Sequence, residues 1–399
     1  MRWTTLLVTL LLLAGCAVKP SAVASSRFGE VSAPTVASTT GTPDVLLPQV
    51  DQSLVFDRGG WRLSGTLTLP ARHPGDLVPG VVIVHGSGPL SRDGVMRGQL
   101  GLGFGFELPV YRRLADALAK HGYAVYRYDK RTCGEFNRCA ENRYPTVSYE
   151  LLEVEFNTAE YLRDAEAAVD VVAAHPAVDG RRVFVIGHSQ GGTLVPALLT
   201  SCPDLPAGVM LAPPFHSLSV LIEQQSERVA WAFSAAGQRE RADRERALLT
   251  DAARALQHLE SGTHLGEPIL GQPPGVWASW VRLAREAPGL AARLERPLLV
   301  LGGSYDYNVS AIEIEAWRTL LRRSTLVPHR VRVLPCVTHA LNCITEPDPT
   351  RIEPSDIGHD VAGEVVREVV GFLNALVERD LSGPRARAGR PVARGSHSG

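Results

Sequence analysis

Short, wholly apolar runs recur through the chain at residues 81–84, 123–126, 183–186, 208–211 and 298–301, with a further run at 331–334 that carries one arginine. Runs this brief without a polar face suit strands buried on both sides of a parallel sheet. Two earlier segments, 53–56 and 61–69, alternate only in part, and Pro70 stops the second, which predicts an antiparallel entry to the same sheet. Between the runs, apolar residues fall three and four apart at 111–121, 159–174, 191–199, 312–321 and 361–376, the spacing of helices with one buried face. Strand and helix in succession predict a mostly parallel sheet with right-handed crossovers and helices on both faces. From 214 to 296 the alternation gives way to helical periodicity, including the charged run 239–246. The strand pattern then resumes without linker composition, so this stretch is expected to be a helical cap inserted between two strands, not a separate domain. Its aromatic residues Trp231, Phe233, Trp277 and Trp280 are expected to pack a core in preference to lining a pocket.

The ends of the chain read differently. Arg2 precedes an apolar run at 6–13 that is too short for a permanent membrane helix and reads as an export signal. It ends in Leu13-Ala14-Gly15-Cys16, which resembles the lipobox of bacterial lipoproteins. That resemblance implies cleavage before Cys16, lipid modification of its thiol and a lipid anchor in the bacterial cell envelope; an ordinary secretory signal is the alternative, and both place the protein outside the cytoplasm. Residues 17–52, rich in Ser, Thr, Ala, Pro and Val, are expected to be a flexible tether, and 53–380 the folded body. The segment 381–399, with Arg385, Arg387, Arg390 and Arg394 among Gly, Pro and Ser, reads as a disordered basic tail.

Charge excludes one class of partner, since 41 Lys and Arg balance 42 Asp and Glu and nothing points to nucleic acid. The six cysteines fit an oxidising compartment: Cys133 and Cys139 sit close in one loop, Cys336 and Cys343 in another, with Cys202 left over, although other pairings stay open. Structural zinc is disfavoured, because no C-x-x-C pair or histidine-rich partner accompanies them.

The candidate chemistry lies at the carboxyl ends of the predicted strands. Gly187-His188-Ser189-Gln190-Gly191 places a serine on a turn between a buried strand and a helix, where Gly187 and Gly191 remove side chains that would collide with those elements. A serine hydroxyl needs a general base held by a carboxylate before it attacks near neutral pH. Asp306 follows the strand at 298–301 and is the candidate acid, with capping of a helix near Ser310 as its other role. His339 follows the strand at 331–334 and is the candidate base, preferred over His359, which precedes the last helix. His85-Gly86-Ser87-Gly88-Pro89 follows the strand at 81–84, where an oxyanion hole needs a backbone N–H, so Ser87 and Gln190 are the expected donors, with Gly88 in place of Ser87 if the loop is rotated. His85 and His188 are expected to orient their loops by hydrogen bonding, and Ser87 lacks the elbow of a nucleophile.

These segments, together with Tyr128-Asp129-Lys130-Arg131 and Gly302 through Asp306, resemble α/β-hydrolases of the dienelactone-hydrolase and serine-aminopeptidase-like groups over about 53–376. The resemblance implies the α/β-hydrolase fold, an eight-stranded sheet with a cap over the site, and Ser189, Asp306 and His339 as a triad that needs neither metal nor organic cofactor. Thr132-Cys133-Gly134 and the insertion bearing Cys139 depart from the glycine-rich turn that relatives often carry, so the resemblance does not extend to the shape of the adjoining pocket wall. The expected activity is hydrolysis of a small carboxylic ester through an acyl-enzyme. A short-peptide or aminoacyl amide substrate is the alternative, a thioester is disfavoured by export, and a non-catalytic binding protein is the contrasting class.

Overall fold

The computed structural model of the chain describes residues 46–97, 107–136, 149–264, 266–324, 326–345 and 358–382. Cys16 and the signal, most of the tether, Cys139 and the tail beyond 382 lie outside the described residues. Eight strands form one sheet: β1 (Val50–Arg58), β2 (Trp61–Leu69), β3 (Val78–Val84), β6 (Ala124–Tyr128), β7 (Val178–His188), β8 (Gly208–Leu211), β9 (Leu298–Gly303) and β10 (Arg330–Leu334). Their order across the sheet is β1-β2-β6-β3-β7-β8-β9-β10. β2 is antiparallel to both β1 and β6, and every later pairing is parallel.

The apolar runs are explained by two cores, one on each face. Val82 and Val84 of β3, Val183 and Val185 of β7, and Leu298 and Val300 of β9 point into one core with helices α3 (Thr158–Ala173), α4 (Gln190–Ser201) and α8 (Ala311–Leu321). Their alternates, Val81 and Ile83, Phe184 and Ile186, Leu299 and Leu301, enter the other core with α1 (Val110–Ala119) and α9 (Gly363–Ser382). A strand whose successive side chains both leave water has no polar face to show. The edge strand β10 does show one: Arg330 and Arg332 project outward and pair with Glu368 of α9 at 3.4 and 3.6 Å. Charge on that edge discourages pairing with another strand.

This order decides where a ligand could sit. β3 continues to β6 on one side, whereas β7 continues to β8 on the other, so the chain diverges between β3 and β7 and leaves a crevice at their carboxyl ends.

Three boundaries differ from the sequence reading. The sheet begins at Val50 and Leu47 already pairs with Arg72, so the last residues assigned to the tether belong to the body. A two-stranded hairpin, β4 (Val95–Arg97) with β5 (Glu107–Pro109), precedes α1, and three-residue strands carry too little periodicity to be read in advance. Helix α9 continues through Ser382.

Between β8 and β9 lie α5 (Leu218–Ala235), α6 (Arg239–Glu260) and α7 (Pro274–Ala292). α5 and α6 run against each other, while α7 rests on α4. Phe233 and Trp280 are buried as expected, and the indole of Trp277 donates to Ile269 O at 2.8 Å. Trp231 is a correction: it is 48% exposed, on the outer side of α5.

Candidate active site

Ser189 follows the last residue of β7 directly and precedes α4, at φ 55° and ψ −123°. A β-carbon residue held at positive φ stores about 1–3 kcal/mol of strain, tolerated here because the surroundings over-determine it. Its N–H donates to Leu211 O at 2.7 Å and its carbonyl accepts from Gly192 N at 2.8 Å. The flanking glycines are required by close approach: a β-carbon at Gly187 would lie 2.3 Å from Gly191 O, and one at Gly191 would lie 2.3 Å from His85 O. The turn therefore lets the helix start pack onto the end of β3.

Asp306 and His339 come from the ends of β9 and β10 and meet. His339 Nδ1 donates to Asp306 Oδ2 at 2.8 Å, and the carboxylate side chain is wholly buried. The other oxygen, Oδ1, accepts from Asn308 N and Val309 N at 2.8 Å each. Asp306 thus braces its own turn while its second oxygen fixes the imidazole. The residue at the N-cap of α8 is Ser310, so the carboxylate stiffens the loop ahead of that helix and does not cap it. The Nδ1–H tautomer leaves Nε2 of His339 with a free lone pair. His359, the rival, is exposed.

The loop carrying His339 is tightly built. Thr338 N donates to Asn342 O at 2.9 Å, Ile344 N donates to Cys336 O at 3.0 Å, and a Cys336–Cys343 disulfide closes the loop. Cys133 is also disulfide-bonded, and Cys202 is free. From the insertion, α5 grips the turn of Asp306: Gln225 Nε2 donates to Asn308 O at 3.0 Å and Arg228 Nη1 donates to Tyr307 O at 3.2 Å.

Ser189 and His339 are not hydrogen-bonded to each other among the described residues; such contacts commonly tighten only when substrate arrives. What ties their loops together is His188. Its Nε2–H donates to the carbonyl of His339 at 2.9 Å, while Nδ1 accepts from Tyr111 Oη at 3.2 Å. Tyr111 Oη in turn accepts from Gly86 N at 2.9 Å. One buried chain of bonds thus runs from the β3 loop to the His339 loop. Burial, and then the nearby His339, hold His188 down to about pKa 3, so it stays neutral and keeps one donor and one acceptor. His85, also lowered to about 3, chiefly by burial and then by Lys130, bonds Tyr128 O. Both histidines orient loops by hydrogen bonding, as the sequence suggested.

At the head of β3, Ser87 and Gly88 are exposed. The amides of Ser87 and Gln190 donate to no group among the described residues, whereas that of Gly86 is occupied by Tyr111. Beneath this loop lies a charged cluster that sequence reasoning did not assign. Arg131, fully buried, grips Asp164 through two bonds of 2.7 and 2.6 Å, and Lys130 Nζ donates to Gly86 O at 2.8 Å. The adjacent cations Lys130 and Arg131 just beyond the strand that ends at Tyr128 were the available signal; Tyr111, inside an amphipathic helix, gave none. Among the described residues no cluster of His, Cys, Asp and Glu is arranged to hold a metal ion.

Known proteins resemble this chain over most of the body. Esterase EstD of Thermotoga maritima is 27% identical over 259 residues, which are 64% of this chain and 52% of that protein, so the chain spans about half the length of this curated relative. Est1E from Butyrivibrio proteoclasticus aligns at a TM-score of 0.46 and 15% identity, covering 83% of this chain and 99% of that one. Pyrococcus horikoshii acylaminoacyl peptidase aligns at 0.45 and 14% identity, covering 87% and 44% respectively. Residues 81–372, which carry the serine turn, the β3 loop and the Asp306–His339 pair, match the model of the alpha/beta hydrolase family, and the chain belongs to that family.

Proposed function

We propose that the protein is a serine hydrolase that cleaves a small carboxylic ester through an acyl-enzyme on Ser189. The observation that carries this reading is the 2.8 Å bond from His339 Nδ1 to a buried Asp306, at the same sheet edge as the strained serine turn. His339 Nε2 accepts the Ser189 proton as Oγ bonds to the ester carbonyl carbon, and Asp306 stabilises the imidazolium. The amides of Ser87 and Gln190 receive the negative charge on the carbonyl oxygen; one such donor typically contributes about 3 kcal/mol. Collapse expels the alcohol, which takes the proton from His339, and water repeats the sequence to release the acid.

Ester is preferred to amide because an amide needs firmer protonation of a poorer leaving group, and because the relative at 27% identity is named an esterase. The Cys336–Cys343 disulfide and the disulfide at Cys133 support export to an oxidising compartment.

The test is labelling with a fluorophosphonate followed by peptide mapping. Attachment at Ser189, lost in Ser189→Ala together with ester turnover, is the expected result. A folded protein that never reacts there removes the reading, and aminoacyl amides turned over faster than nitrophenyl esters replace esterase with peptidase.

A further inference from the structure

Lys130 is buried at the end of β6, directly beneath the β3 loop. Arg131 beside it is matched by carboxylates, but Lys130 has none within ion-pair distance among the described residues. Its ammonium lies 4.7 Å from the ring centre of Tyr161 and donates to Gly86 O at 2.8 Å. Its backbone N–H holds the same loop further on, donating to Leu90 O at 3.2 Å. An apolar side chain of similar length would fill this place without the desolvation of a charge, so packing alone does not explain a lysine.

The atom it holds explains it. The carbonyl of Gly86 and the N–H of Ser87 belong to one peptide unit, planar and trans, in which the two groups point in opposite directions. Gly86 also lies against the serine turn, for a β-carbon there would be 3.3 Å from Ser189 Cβ. Fixing the Gly86 oxygen toward the interior therefore turns the Ser87 N–H the opposite way, outward from a loop whose Gly86 abuts the serine turn. We propose that Lys130 is a positioning residue of the oxyanion hole: its bond to Gly86 O sets the plane of the Gly86–Ser87 peptide and so the aim of the Ser87 donor. The hydrogen bond that Lys130 donates to the carbonyl also polarises that peptide and strengthens its N–H as a donor. This inference rests on the reading of Ser189 as nucleophile and Ser87 as oxyanion donor.

The test is Lys130→Met, which keeps length and removes the donor, assayed for kcat, KM and affinity for an arylboronic acid that forms a tetrahedral adduct on Ser189. A misaimed donor should lower kcat by roughly 10- to 100-fold, leave KM nearly unchanged and weaken the boronate by a similar factor. Structural damage alone would lower the melting temperature without that split. A folded K130M whose kcat and boronate affinity stay near wild type overturns the proposal. Should K130M not fold, the crystal structure of wild-type enzyme phosphonylated at Ser189 decides: Ser87 N–H on the phosphonyl oxygen with Lys130 on Gly86 O is expected, and a flipped peptide or a displaced lysine overturns it. Failure of the underlying reading looks different, since Ser189→Ala would then retain ester turnover.

Discussion

Replacing Gly191 by alanine probes how closely the serine turn depends on the strand beside it. The added β-carbon would sit 2.3 Å from His85 O and 2.4 Å from Val84 O, about 1 Å inside ordinary contact, which begins at 3.4 Å. Both neighbours are backbone atoms at the end of a strand paired on both sides, so no side-chain rotation relieves the clash. Either α4 moves with Ser189 or the β3 end moves with Ser87. Overpacking of this kind destabilises by about 1–3 kcal/mol. Under the proposed mechanism, a 1 Å displacement between Ser189 and the Ser87 amide also lowers kcat/KM by about 100-fold. Urea unfolding followed by tryptophan fluorescence gives the first quantity, and ester hydrolysis together with the rate of fluorophosphonate labelling gives the second. Gly371→Ala is the control: it lies in α9 with nothing within 4 Å of its added carbon, and should stabilise by up to about 1 kcal/mol. A G191A protein with wild-type stability and turnover would show that the turn and strand yield easily, and the steric account would be wrong.

Two further outcomes follow from the buried polar groups. Asp306→Asn should preserve the loop but favour the wrong imidazole tautomer, reducing kcat by about 10³–10⁴-fold with little change in KM; turnover within tenfold of wild type would remove Asp306 from the reaction. His85 and His188, held at about 3 against an ordinary 6.5, stay neutral in the folded protein while the unfolded chain takes up protons below 6.5. Their contribution is fully present above pH 6.5 and is lost as pH falls toward 3, on the order of a few kcal/mol per histidine over the whole window. Urea midpoints should therefore decline already between pH 6.5 and 5, before most carboxylates titrate, and a flat profile there would contradict neutral burial of both rings.

Much of this molecule is set by local pattern. Strands such as 81–84 and 183–186 are legible because burial on both faces removes every polar position, and the helices between them because one face must remain wet. Ser189 is legible for a steric reason, since a positive φ between strand and helix demands small neighbours at fixed spacing. Asp306 and His339 could be nominated from their places after strands, yet that they meet at 2.8 Å depends on β9 and β10 being neighbours in register, a long-range pairing that no local window contains. The same holds for Tyr111 and Lys130: each is ordinary in its own segment, and only the stacking of α1 and β6 against the β3 loop brings both onto the two sides of Gly86. Sequence by itself determined the long elements of the main sheet and its helices, and the nucleophile candidate, because those answer to neighbours along the chain. Tertiary structure decided which distant polar atoms share one dry space, because a buried hydrogen bond is chosen by what folding leaves within reach.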